Sequence, residues 1–367
     1  MPLPPLVAPA DAISAAERER TARHAVLAGF GEIGQRRLAA ARVAVIGAGG
    51  LGSPVILALA AAGVGSITVI DDDIVERTNL QRQIVHREGD VGAPKVDSVV
   101  RAVADLSPET RVLPRRERLT AANAEALIAD ADLVIDGSDT FETRTAVADA
   151  CRLRGTPLVW GVVQEFHAQV TVFWSQPPAG IPPVVLGDLY PAGSVGELPT
   201  CSDVGVLGAL CIQVGGMLVS EAIKLVTGIG EPLLGRVAVI DSLAATQREI
   251  PLRAAQSRDP LSAPPRVAAA ATRVPAPVEV DLAHLREAQR AGATVLDVRE
   301  PDETARDILP GSVLIPLGDL LADPDRVPRT PVVVVCERGA RADRAARELL
   351  ARGIDASVLT GGLAAWR

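Results

Sequence analysis

Between residues 43 and 71 an apolar run (43–46) gives way to a cluster of glycines. A small-residue stretch of helical length follows, then a second apolar, β-branched run (66–70) that ends on Asp71. Both runs are apolar throughout rather than at alternate positions, so they read as strands buried on both faces. The same alternation continues downstream. It predicts a helix over 95–106, a strand over 111–113, a helix over 121–129 and a strand over 133–136. A helix over 143–154 and strands over 158–163 and 169–174 follow. A long apolar helix over 208–226 and a strand over 236–240 close the series. Strand–helix alternation of this kind means a mostly parallel sheet covered on both faces, a Rossmann-like α/β fold.

Upstream, residues 1–16 are Pro- and Ala-rich at their start and are expected to be loose, and 15–38 reads as two helical pieces parted at 29–31. Residues 175–200 are rich in Pro and Gly and must form a long crossover or lid. The pattern stops at 253–277, an Ala/Pro stretch that reads as a semi-rigid linker. It resumes over 278–367 with strands at 294–298, 332–336 and 357–359 and a helix at 340–353, enough for a second, small α/β domain. The expected layout is thus a flexible start (1–16), a large domain (17–252), a linker (253–277) and a small domain (278–367).

Composition narrows the function. Hydrophobic residues make up 48% of the 367, yet aromatics only 2%, so Ala, Val, Leu and Ile must fill the core. The net charge is −8 and no basic block occurs, which argues against a nucleic-acid partner. The uncharged runs 43–70 and 204–219 are broken by Gly47, Gly49, Gly50, Gly52 and Pro54, and by Gln213 and a Gly-Gly pair. They read as buried segments, with no membrane partner. No charged start followed by an apolar stretch resembles a signal peptide. Four cysteines, Cys151, Cys201, Cys211 and Cys336, stand far apart without a C-x-x-C pair. That argues against a zinc site and against a disulfide framework, and predicts a cytoplasmic protein.

The chemistry begins at the glycines. Gly47, Gly49 and Gly52 have G-x-G-x-x-G spacing, with Gly50 between them, and Asp71 follows 24 residues after Gly47. Strand, glycine turn, helix, strand and acid form a nucleotide-binding arrangement: helix N–H groups hold phosphate and the acid takes ribose hydroxyls. Beyond Asp71 come Asp72 and Asp73, then NLQRQ with Asn79 and Arg82, then Lys95 at a helix start. Two cations beside phosphates suit a triphosphate, where charge builds on the leaving pyrophosphate. Asp139, past the 133–136 strand, is a carboxylate on the same edge and a candidate for Mg²⁺. Plainer readings stand beside these: His24, His86 and His167 as satisfied structural histidines, Asp72 and Asp73 as loop caps, Arg144 as a helix charge, and Cys151 and Cys211 as inert small hydrophobes. Cys201, in a polar loop ahead of the 208–226 helix, is a candidate thiolate. Cys336 closes a buried strand and opens the loop C-E-R-G-A-R: Glu337, Arg338, Gly339, Ala340, Arg341. Backbone N–H groups at the following helix, with Arg338 and Arg341, are expected to favour a thiolate or persulfide anion there.

VIGAGGLGS, DDDIVERTNLQRQ, Lys95, Ser138-Asp139 with Arg144 following, and PTCSDVGVLG together resemble the MoeB/ThiF adenylyltransferases, relatives of ubiquitin-activating enzymes, over roughly 17–252. The resemblance implies a homodimer that uses ATP and Mg²⁺ to adenylate the C-terminal glycine of a small ubiquitin-fold sulfur carrier ending in Gly-Gly. It puts Gly49 and Asp71 on the nucleotide, Asn79, Arg82 and Lys95 on the phosphates, Asp139 on magnesium, and Arg23 in the partner subunit's site. Cys201 falls where the family has a cysteine for acyl transfer. Thr140 stands where the family has Asn, Thr21 replaces an aromatic, and the zinc cysteines of many members are missing. Residues 278–367 resemble a rhodanese sulfurtransferase through LDVRE (296–300), LPGSVLIP (309–316), the Cys336 loop and GGLAAW. The fused layout without zinc is that of the MoeZ type. It implies sulfur delivery from a Cys336 persulfide, loaded by a cysteine desulfurase or thiosulfate, to give a thiocarboxylate. An NAD-dependent oxidoreductase and a non-catalytic carrier-binding scaffold are the competing readings.

Overall fold

The computed structural model describes residues 3–191, 205–254, 277–305, 307–328 and 330–366. The chain divides into two compact units, Met1–Arg258 and Asp259–Arg367.

In the first unit eight strands form one sheet in the order β3-β2-β1-β4-β5-β6-β7-β8. They are β1 (Arg42–Ile46), β2 (Ser66–Ile70), β3 (Arg111–Arg115), β4 (Leu133–Asp136), β5 (Leu158–Gln164), β6 (His167–Phe173), β7 (Arg236–Asp241) and β8 (Thr246–Pro251). The five from β3 to β5 run parallel, and β6, β7 and β8 extend the sheet antiparallel. The order 3-2-1-4-5 reverses direction between β1 and β4, and such a switch point opens a crevice at the carboxyl ends of the strands. Helices Gly52–Ala62, Lys95–Leu106 and Gly208–Thr227 cover one face with an aliphatic core, and Phe141–Arg154 covers the other. Gly208–Thr227 is apolar and long enough to cross a membrane, but its inner face is accounted for by this core, with Leu210, Val214, Leu218 and Leu225 buried.

Four local differences from the sequence expectations have clear causes. The start of the chain is docked rather than loose: Leu3 is buried and the Leu6 N–H donates to the Leu225 carbonyl at 2.9 Å. The helix expected over 121–129 shrinks to Ala124–Leu127, because the Asn123 side chain accepts the Thr120 N–H and holds a turn there. The helix expected from 143 begins at Phe141, since the Thr140 hydroxyl accepts the Thr143 N–H as a cap. Strand β8 is exposed at every position, so its sequence carries no alternation, and backbone pairing with β7 alone makes it a strand.

The second unit holds five parallel strands in the order β11-β10-β12-β13-β9, namely β9 (Val278–Val280), β10 (Thr294–Asp297), β11 (Val313–Leu314), β12 (Val332–Val335) and β13 (Ala356–Leu359). Helices Leu282–Arg290 and Ala340–Ala351 flank it. Of the stretch read as a linker (253–277), residues 255–276 lie outside the described residues.

Candidate active site

The crevice at the switch point of the first sheet is a cavity of ≈ 240 Å³. Its lining comes from four strand ends: Gly47, Gly49 and Gly50 after β1, Asp71 and Asp73 after β2, Glu117 and Arg118 after β3, and Ser138 and Asp139 after β4. Arg82, Gln83, Lys95 and Arg144 belong to its polar wall, with Thr140 and Thr143.

Sequence explains the glycine loop locally. Gly47 has φ +84°, a conformation that favours glycine, and a Cβ on Gly52 would lie 1.8 Å from the Gly47 carbonyl oxygen. That approach lets the loop turn sharply into the helix Gly52–Ala62. Its shape is held from both sides at Ala48, whose N–H donates to Asp71 Oδ2 at 2.7 Å. The Ala48 carbonyl meets His86 Nε2 at 3.1 Å, and His86 Nδ1 lies 2.5 Å from Ser98 Oγ. Burial lowers the His86 pKa to about 4, so the ring is neutral. Nε2–H then donates to the Ala48 carbonyl, while the Ser98 hydroxyl beside Nδ1 also meets the Lys95 carbonyl at 2.9 Å. The structural reading of His86 thus holds, and it buttresses the nucleotide loop.

Asp71 is buried, and burial raises its pKa against the opposing pull of Lys95 and two N–H donors, Ala48 and Asp73. Lys95 is also buried, with Nζ 2.8 Å from Asp73 Oδ2. Asp73, read from sequence as a loop cap, therefore aims the ammonium. Arg82 lies across the loop, its side-chain carbons 3.5 Å from where a Gly50 Cβ would stand, and Nη1 donates to the Thr78 carbonyl. Asp139 is exposed and faces the cavity. Asn79 lies outside the lining: it is buried, and its Oδ1 accepts the Glu76 N–H at 3.2 Å. Arg23 is exposed on the short helix Ala22–Ala25, also outside the lining. Cys201 lies outside the described residues.

Two lining residues were read from sequence as inert. Arg144 is a buried member of the wall: Nη2 donates to the Ser138 carbonyl at 3.1 Å, while Nε is buried with no partner among the described residues. Behind it the fully buried Asp136 has its pKa raised by burial, with Arg144 pulling the other way. Cys211 also lines the cavity, its Sγ 3.1 Å from a Gly50 Cβ position. Their neighbours in sequence do not show this, and only the sheet edge brings them to the cavity. Gln83 Oε1 is a further buried acceptor without a partner among the described residues. Orphaned polar atoms of this kind are rare unless a ligand or water satisfies them.

In the second unit Cys336 directly follows β12 and is 1% exposed. The N–H groups of Gly339 and Ala342 point at its Sγ at 3.1 and 3.4 Å, a cradle for a sulfur anion. A Cβ on Gly362 would lie 2.6 Å from the Arg338 nitrogen and the Glu337 carbonyl oxygen, so the GGLAAW turn packs directly under the loop. The arginines differ from expectation. Arg338 is exposed, and Arg341 is paired to Glu303 at 2.6 and 2.7 Å. Glu337 is held 3.3 Å from the buried Arg299, which pairs with Asp297. Backbone N–H groups thus support the anion directly, and Arg341, though paired to Glu303, still acts on Cys336 through its charge.

Fold and sites together define a nucleotide-binding α/β protein joined to a unit built around a cradled cysteine. The chain belongs to the ThiF family, matched over residues 21–261, and residues 281–367 match the rhodanese-like domain. It is 40% identical to the "Probable adenylyltransferase/sulfurtransferase MoeZ" of Mycobacterium tuberculosis (strain ATCC 25618 / H37Rv), over 99% of this chain and 96% of that protein. Its first unit resembles the "SAMP-activating enzyme E1" of Haloferax volcanii, with 41% identity over 66% of this chain and 87% of that one. The "Sulfur carrier protein adenylyltransferase" of Thermus thermophilus is 41% identical over 65% and 88% of the two chains. Among solved structures, Escherichia coli MccB with MccA-N7isoASN superposes with TM-score 0.56 at 20% identity, over 66% of this chain and 74% of that one, a likeness of fold. The glycine loop and the Cys336 loop had pointed to this family pair.

Proposed function

We infer that this chain adenylates the C-terminal glycine of a small ubiquitin-fold sulfur carrier and then converts it to a thiocarboxylate. The observation that carries the reading is the shared cavity of Asp71, Arg82, Lys95 and Asp139 at a helix N-terminus. Asp71 accepts ribose hydroxyls, the loop N–H groups take phosphate, and Arg82 and Lys95 stabilise charge on the departing pyrophosphate. Asp139, exposed at the mouth, suits Mg²⁺, which takes one or two carboxylates plus substrate phosphates. There the ion would supply Lewis-acid stabilisation of phosphate charge. The orphaned Nε of Arg144 and Oε1 of Gln83 are matched to ligand groups entering the crevice.

The carrier's carboxylate attacks the α-phosphate, pyrophosphate leaves, and an acyl-adenylate forms. A persulfide on Cys336 attacks the acyl carbon and expels AMP, giving an acyl disulfide. A second thiol, for which Cys201 is the candidate, attacks Sγ of Cys336, forms a disulfide with it and releases the thiocarboxylate. A reductant must then restore both thiols. The protein acts as a homodimer in the cytoplasm, with Arg23 serving the partner subunit's site.

Asp139→Ala is expected to abolish carrier-dependent ATP–pyrophosphate exchange, while Cys336→Ser leaves exchange intact and stops thiocarboxylate formation. Exchange that survives the first change would contradict the adenylation step.

A further inference from the structure

The cysteine loop of the second unit carries two arginines in different settings. Arg338 is exposed, where water and salt screen its charge. Arg341 sits at the start of the helix Ala340–Ala351, beside the N–H groups that hold Cys336 Sγ. Its guanidinium is engaged. Nη1 and Nη2 donate to Oε2 and Oε1 of Glu303 at 2.6 and 2.7 Å, a two-pronged pair that adds geometric specificity to charge.

Glu303 is fixed in turn. Its Oε2 also accepts the Glu300 N–H at 3.0 Å, closing a capping box on the short helix Pro301–Thr304. The Arg341 guanidinium holds its carboxyl down at about 2, so the charge persists at any working pH. The remaining cation of this sheet edge, Arg299, is buried against Asp297 and reaches Glu337. Arg299 and Arg341 therefore already have carboxylates, and the cradle N–H groups are aimed at Sγ itself. A small dianion such as thiosulfate needs an uncommitted, desolvated cation for its sulfonate end. Here it would meet an arginine already neutralised, with the Glu303 charge beside it.

We propose that Glu303, through its pair with Arg341, turns the Cys336 loop away from small dianionic donors and toward a persulfide carried on a cysteine of another protein. This rests on the sulfurtransferase reading of the second unit and names its donor class. In the favoured step the Cys336 thiolate attacks the outer sulfur of the donor persulfide. The donor's S–S bond breaks, its thiolate leaves with the electron pair, and the Cys336 persulfide forms. From thiosulfate the same attack would expel sulfite. Neither route needs an added oxidant or reductant.

The test compares the full-length chain with Glu303→Gln and Glu303→Ala. Sulfur uptake by Cys336 is read by mass spectrometry, and turnover as thiocyanate released with cyanide. Thiosulfate and a persulfidated cysteine peptide, otherwise uncharged, serve as donors. Freeing Arg341 is expected to raise kcat/KM for thiosulfate about tenfold, through a lower KM and a steeper salt dependence, while peptide use stays level or falls. A general loosening of the loop would move both donors together, so parallel changes, or an unchanged donor ratio with uptake intact, would overturn the role of Glu303 alone. Failure of the unaltered chain to take sulfur from either donor would sink the sulfurtransferase reading, and this proposal with it.

Discussion

His86 shows how one side chain can govern a site it does not enter. It secures the Ala48 carbonyl while Asp71 secures the Ala48 N–H, so the two peptide groups flanking one loop residue are each held. The ring's depressed pKa sets a pH window. Between its unfolded value near 6.5 and about 4 the unfolded chain binds the extra proton, so stability is lost as pH falls through that range. The loss attributable to the ring is at most about 3 kcal/mol. His86→Gln, which keeps a donor for the carbonyl, is expected to narrow the gap between urea midpoints at pH 7 and pH 4.5. An unchanged gap would show that other groups set it. Arg144 provides a second case. Arg144→Met leaves the buried Asp136 without its cation, and is expected to cost about 3 kcal/mol at pH 7. The cost should be smaller at acid pH, because burial raises the Asp136 pKa and a protonated carboxyl no longer needs the cation. Denaturant titrations at the two pH values check the sign. Arg144 was legible in the sequence as a motif position and a helix charge, but nothing in its neighbours records that the Phe141–Arg154 helix starts at the sheet edge.

Among the elements, the strand–glycine–helix unit separates two reasons for being glycine. At Gly52 the backbone leaves no room: an added Cβ would lie 1.8 Å from the Gly47 oxygen, so Gly52→Ala is expected to destabilise by about 3 kcal/mol. At Gly49 an added Cβ would meet only Gln83 Nε2, at 3.8 Å, an ordinary contact. Gly49→Ala should fold within about 0.5 kcal/mol of the parent. It should nonetheless weaken ATP binding by about tenfold or more, because the methyl intrudes where phosphate approaches the loop. Calorimetry of folding and of ATP binding on the two variants distinguishes them; equal loss of stability at both sites would refute the distinction. Elements with strong apolar periodicity, such as β1, β4 and the helix Lys95–Leu106, were legible at or near their ends. Strand β8 and the short pieces of the second unit were not, since pairing partners distant in sequence supply what their own residues lack.

For the molecule as a whole, two compact units with separate cores should respond separately to ligand. ATP with Mg²⁺ at a hundredfold excess over Kd is expected to stabilise the first unit by about 2.7 kcal/mol and leave the second unmoved. Differential scanning calorimetry should then show one shifted and one fixed transition, and a common shift of both would mean they unfold as one. The first unit's core is built almost wholly of aliphatic side chains on a parallel sheet, as the scarcity of aromatics had required.

The sequence by itself determined the α/β class, the nucleotide loop with its acid, and the cysteine loop, because each is written in short stretches whose backbone demands are local. Only the tertiary structure decided which charged groups meet. Asp73 pairs with Lys95, Arg144 acts on a buried carboxylate, and Glu303 pairs with Arg341 beside the sulfur. Such pairings depend on which strand ends lie side by side, and neighbourhood across a sheet leaves no periodic trace along the chain.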